Sequence, residues 1–157
     1  MSTRDPGAAS AGDTHPHLNP PDDELRRLLV DARMIAMVGA SSNSEKLSHH
    51  IMKQLLDAGY HVIPVNPRET EVLGQPAVPS LDAILEPVDI VDVFRRSEDV
   101  PPIAEDAIRI GAKALWLQLG VSNEAAALRA KGAGLVVVMN KCIGATHHAL
   151  RVPPKGA

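Results

Sequence analysis

Apolar residues fall along this chain in two alternating rhythms: short, mainly apolar runs of strand length, and longer stretches in which they recur every three or four positions. Met34-Ile35-Ala36-Met37-Val38 is the first run, and Tyr60 to Val65, Val88 to Phe94, Lys113 to Gln118 and Leu135 to Met139 follow it. Between them, Leu25, Leu28 and Leu29, then Ile51, Met52, Leu55 and Leu56, then Ile103, Ala104, Ala107 and Ile108 each make one face of a helix. Helices are therefore predicted from a cap at Asp22 or Asp23 to about Asp31, from Ser48 to Ala58 before Gly59, and from Pro101 to Gly111. Two more are predicted, one from a cap at Ser122 to about Lys131 and a short one ending at Leu150.

Five strands alternating with helices through short loops predict an α/β domain, Rossmann-like in layering, with a parallel sheet in the order 3-2-1-4-5. Pro64 is awkward inside a ladder, so pairing is expected to weaken near the end of the second strand. Glu71 to Ser80, with Gly74, Pro76 and Pro79, reads as a loop ahead of a short helix begun by Ser80. In the third strand, Asp89 and Asp92 alternate with apolar residues and suggest a less buried face.

Composition narrows the picture modestly. With 157 residues the chain suits one domain with one core. A hydrophobic share of 45% and a net charge of −3 fit a globular protein and give no electrostatic footprint for nucleic acid. No apolar run reaches membrane-spanning length, and the first twenty residues lack a secretory apolar segment, so a cytoplasmic protein is expected. Cys142 stands alone, which excludes an internal disulfide. Residues 1–20 show no periodicity and read as a disordered tail, residues 21–150 as the domain, and residues 151–157 as a loose C-terminus.

In a parallel sheet of this kind ligands sit beyond the carboxyl ends of the strands. The turn after the first strand, Gly39-Ala40-Ser41-Ser42-Asn43-Ser44, carries small and hydroxyl side chains into a helix start, where unpartnered amides favour an anion. Asn66, Pro67 and Arg68 follow the second strand, Arg95 and Arg96 the third, and Gln118 ends the fourth. This inventory suits a polyanion attached to a nucleotide. NAD is disfavoured, because the turn lacks Gly-x-Gly-x-x-Gly and Asn66-Pro67-Arg68 holds no acid for a ribose diol; NADP fits better, through an arginine.

Several motifs in order, Val38-Gly39-Ala40-Ser41, Val65-Asn66-Pro67, Val72-Leu73-Gly74, Val91 to Arg96, Gly111 to Gly120 and Val138 to Cys142, closely resemble the small bacterial CoA-binding proteins. These are stand-alone Rossmann-like domains similar to the CoA-binding domain of the succinyl-CoA synthetase alpha subunit. The resemblance covers roughly residues 22–150 and implies coenzyme A, or an acyl-CoA, laid across the carboxyl edge of the sheet. It implies phosphates on Gly39 to Ser44, adenosine near Asn66, Pro67 and Arg68, and the pantetheine arm passing Val93, Phe94 and Arg95 and then Gln118, Leu119 and Gly120. Many relatives carry an aspartate where this chain has Asn140.

Plainer roles stand beside these. Gly39 also suits a tight turn, Ser48 a helix cap, and Arg95, Arg96 and Gln118 solvent or backbone partners. Cys142 reads first as a small buried residue, although Lys141 and a following helix could lower its pKa, and a Cys142 facing the pantetheine thiol could form a mixed disulfide with CoA. His15 and His17, and His147 and His148 with Cys142, make no convincing metal set. No catalytic triad is evident, so a non-catalytic binding module is expected, with an NADP-dependent oxidoreductase subunit or a structural partner that has lost its ligand as alternatives. Sheet edges and exposed helices leave room for a homodimer or a larger CoA-dependent complex.

Overall fold

Met34–Val38 (β1) is buried at every position, as an apolar run must be when strands lie on both sides and helices on both faces. In the computed structural model, which describes residues 17–156, its neighbours are the parallel strands His61–Val65 (β2) and Ile90–Val93 (β5). Ala114–Leu117 (β6) and Val136–Val138 (β7) extend the sheet beyond β5, giving the order β2-β1-β5-β6-β7.

The expected α/β class and five-stranded parallel sheet are present, but the order departs from 3-2-1-4-5. Counted along the chain, the strands run 2-1-3-4-5, with the third against the first instead of outside the second. The long connection from β2 to β5 returns past β1, and the point of reversal lies between β1 and β5.

Helices cover both faces. Val100–Arg109 (α3) and Glu124–Gly132 (α4) pack Val100, Ala104, Ala107, Ala126, Ala127 and Ala130 against Ala36, Val91 and Leu115. On the other face Asp22–Asp31 (α1), Leu47–Asp57 (α2) and Ile143–Ala149 (α5) bring Leu25, Leu29, Met52, Leu55 and Ile143 onto Ile35, Met37 and Trp116. Each fully buried Leu contributes roughly 1.5–3 kcal/mol relative to exposure, so α1 and α2 are held mainly by these leucines.

The helix starts differ from expectation. Pro21 takes the cap position of α1, with Asp22, Asp23 and Glu24 in its first turn, where carboxylates favour the positive end of the dipole. Asn123, not Ser122, caps α4 through its side-chain bond from the Ala126 amide. Lys46 precedes α2, so Ser48 lies inside the helix and is not its cap.

Pro64 is accommodated because β2 is the sheet's edge: its carbonyl accepts from the Val78 amide, so its nitrogen faces away from β1. The predicted loop instead contains a hairpin, Glu71–Val72 (β3) and Gln75–Pro76 (β4), with Leu73 and Gly74 at φ 50° and 80° as a primed two-residue turn requires. Asp92 overturns the half-exposed third strand: it is fully buried between Met37 and Trp116.

Both ends of the described chain are anchored. The part of the expected tail in residues 1–16 lies outside the described residues, but His17 is 5% exposed, its amide donates to Glu124, and Asn19 exchanges two hydrogen bonds with the Met139 backbone. At the other end Val152 is buried, the Lys155 amide donates to the Ala58 carbonyl, and its ammonium stands 4.8 Å from the Tyr60 ring centre. The segment expected to be loose is packed as far as that lysine.

Candidate functional site

The reversal between β1 and β5 sets two turns side by side. The Phe94 amide donates to the Val38 carbonyl and the Gly39 amide to the Val65 carbonyl, so the chain leaving β1 passes close over the chain leaving β5. Gly39 has φ 93°, and a Cβ there would fall on the Phe94 carbonyl oxygen and 3.0 Å from its carbon. Only glycine satisfies both conditions.

Beyond Gly39 the turn is closed on itself. The Ala40 carbonyl accepts from the Asn66 side chain, the Ser41 hydroxyl accepts from the Asn43 amide, and the Asn43 side chain accepts from the Glu45 amide. Both Ser42 donors, amide and hydroxyl, reach one oxygen of Glu69, at 2.9 and 3.1 Å. Those bonds hold the Glu69 carboxyl below its ordinary pKa. His49 Nδ1 donates to the Ser41 carbonyl, which fixes the ring at the start of α2. No side chain caps α2, and the amides of Leu47 and Ser48 have no acceptor among the described residues.

A groove of about 950 Å³ opens between these turns. Of the residues expected at the site, Gly39, Ser41, Asn66, Pro67, Arg68, Phe94, Arg95 and Gln118 line it. Ala40 and Val93 are buried beneath it as core. Ser42, Asn43 and Ser44 lie on the exposed turn and do not form its wall. Gly120 stands just past the wall, its amide donating 2.7 Å to Asn140 Oδ1. Asn140 itself has φ 56°, a conformation that asparagine tolerates better than most residues.

Cys142 is not in the lining. It is half-buried at the start of α5, where its sulfur accepts from the Ala145 amide at 3.4 Å.

The groove's electrostatics are lopsided. Lys46, Arg68, Arg95 and Arg96 contribute four cations, of which, among the described residues, only Arg96 is ion-paired, to Glu98 at 3.5 Å and Asp99 at 3.3 Å. Lys46, Arg68 and Arg95 have no carboxylate partner among the described residues. Leu47 and Leu119 add an apolar lip, 57% and 68% exposed.

Under the groove floor, Gln118 is 3% exposed and clamped from two sides. Its Nε2 donates to Asp92 Oδ1, and its Oε1 accepts from the Ile143 amide at 3.3 Å, tying the end of β6 to the start of α5. Burial pushes the Asp92 carboxyl up to about 8, partly opposed by the Gln118 bond, so Asp92 is protonated at neutral pH.

Leu119 lines the groove as expected, whereas Lys46, Leu47, Glu69, Asp99 and Val121 line it without having been expected there. Lys46 at the helix start carried a usable signal. Glu69 did not, because its partner Ser42 lies 27 residues away and only the pairing of β1 with β2 brings them together.

A family profile described as CoA binding domain matches residues 33–148. An uncharacterized protein of Bacillus subtilis, YneT, is 43% identical over 129 residues, covering 82% of this chain and 96% of that protein. A solved structure of a hypothetical protein from Pyrococcus horikoshii superposes with a TM-score of 0.82 at 38% identity, covering 84% of this chain and 93% of its own. The ADP-forming acetate–CoA ligase I of Archaeoglobus fulgidus is 35% identical over 77 residues, 49% of this chain but 11% of that enzyme.

Proposed function

The chain belongs to the CoA-binding domain family, and from that premise we propose that its groove binds coenzyme A or an acyl-CoA without catalysing a reaction on it. The observation that carries this is the trio of unpaired cations, Lys46, Arg68 and Arg95, around one groove that also receives the open amides of Leu47 and Ser48. Cations without carboxylate partners that converge on one groove are what a ligand with several phosphates requires. Coenzyme A carries a diphosphate and a ribose phosphate, enough to meet all three.

The shape is consistent with the same ligand. Asn66, Pro67 and Arg68 at the β2 end offer a place for adenosine, while Phe94, Leu119 and Gln118 offer apolar contact and one buried amide for the pantetheine arm. Non-catalytic binding is supported by how the reactive groups are occupied. His49 is spent on a backbone carbonyl, Glu69 on Ser42, and Cys142 on capping α5 away from the wall.

Isothermal titration of the purified protein with CoA, acetyl-CoA, NADH and NADPH tests the proposal. Saturable CoA binding is expected, and Arg95→Ala should weaken it about tenfold or more, since a hydrogen bond to a charged group contributes about 1.5–3 kcal/mol. Nicotinamide nucleotide binding with none for CoA would overturn it.

A further inference from the structure

At the rim of the groove the turn after β1 already holds an anion, and that anion belongs to the chain. Glu69 places one carboxylate oxygen on both Ser42 donors, although Lys46, Arg68 and Arg95 stand unpaired around the same groove. A carboxylate on an exposed loop beside three free cations would ordinarily be drawn to one of them. Here it sits instead on an amide and a hydroxyl, the donor pair that a phosphate oxygen also uses.

We infer that Glu69 is a resident stand-in for the ligand's phosphate, closing the first turn while the groove is empty and leaving Ser42 when an anion enters. The inference rests on the proposed CoA binding but concerns which residue opposes it. Three features allow the exchange. Glu69 lies on the short segment between β2 and β3, outside the core clusters, so it can swing without disturbing packing. Among the described residues its only side-chain partner is Ser42. The unpaired cations remain available, so a released carboxylate can settle on Arg68 or Lys46 while the phosphate takes the turn.

The experiment compares CoA and inorganic pyrophosphate titrations of the wild type with Glu69→Gln, Glu69→Ala and, as a charge control, Glu45→Gln. Glu45 lies on the same turn, its side chain makes no hydrogen bond to Ser42 among the described residues, and it does not line the groove. Both Glu69 variants are expected to bind CoA and pyrophosphate at least threefold more tightly than wild type, with Glu45→Gln gaining clearly less. Circular dichroism and a thermal scan establish that each variant is folded. Wild-type CoA binding with unchanged or weaker binding in the Glu69 variants would overturn the inference alone, because Glu69 would then only be bracing the turn. An equal gain in Glu45→Gln would also overturn it, since a general field would account for the effect. Absence of CoA binding in every protein would defeat the underlying proposal, and absence of pyrophosphate binding in every protein as well would remove the inference with it.

Discussion

Gly39 shows how much of the site hangs on single positions. An L side chain at φ 93° is strained, and the atom it would meet is backbone that cannot yield without moving β5. Gly39→Ala is therefore expected to cost at least ~2 kcal/mol, read as a lower urea midpoint, and to abolish CoA binding even where the protein remains folded. Asp92 makes a different kind of test. Its folded pKa of about 8 lies above the unfolded value near 4. Between those values the folded state keeps a proton that the unfolded chain releases, so this residue's contribution to stability falls as pH rises from about 4 to 8. Each unit of difference is worth about 1.4 kcal/mol. Asp92→Asn keeps the shape and the acceptor for Gln118, so denaturation curves measured from pH 5 to 9 should lose that downward slope. An unchanged slope would mean the carboxyl is not what titrates.

At the scale of elements, α2 and α5 meet closely at Gly144. A Cβ on Gly144 would fall on Gln54 Oε1 and lie 2.8 Å from Ile51 Cδ1, while Gln54 Nε2 donates 2.9 Å to the Gly144 carbonyl. Both obstacles are ends of flexible side chains, so Gly144→Ala should cost only about 1 kcal/mol. In Gln54→Ala the space is vacated, and the double variant is expected to lose less than the sum of the singles in urea denaturation. Periodicity made these helices and strands legible, since Leu25 and Leu29, or Ile51, Met52 and Leu55, bury the faces that their spacing announced. Strand order was not legible in the same way. Nothing in the residues of β5 says which neighbour it will pair with; the long β2–β5 connection decides that, and it moved Phe94 and Arg95 beside Gly39. The burial of Asp92 is hidden for a related reason: alternation marks a polar position but cannot tell a wet face from a buried amide such as Gln118 waiting behind it. The arginines and the glycine turn could be found because their chemistry is local, whereas Glu69 acquires its role only from a partner brought near by folding.

For the molecule as a whole, the groove is assembled from the ends of β1, β2, β5 and β6 and the start of α2, so no part of it exists in the unfolded chain. A ligand that binds there binds the folded state alone and must raise its stability in proportion to occupancy. At a CoA concentration one hundred times the dissociation constant the gain is about 2.7 kcal/mol, which for a domain of this size is a rise of about 5–10 °C in Tm. NADPH at the same concentration should give a clearly smaller shift, because it brings a ribose phosphate and a diphosphate but no pantetheine arm for Phe94 and Leu119. Inorganic pyrophosphate, which has neither adenosine nor arm, should shift Tm least in the wild type and more in Glu69→Gln, where the turn is no longer held by its own carboxylate. The ranking of these shifts separates the parts of the groove in one measurement on intact protein. A larger rise with NADPH than with CoA would mean that the cations serve a nicotinamide nucleotide, and the apolar lip would then need another occupant.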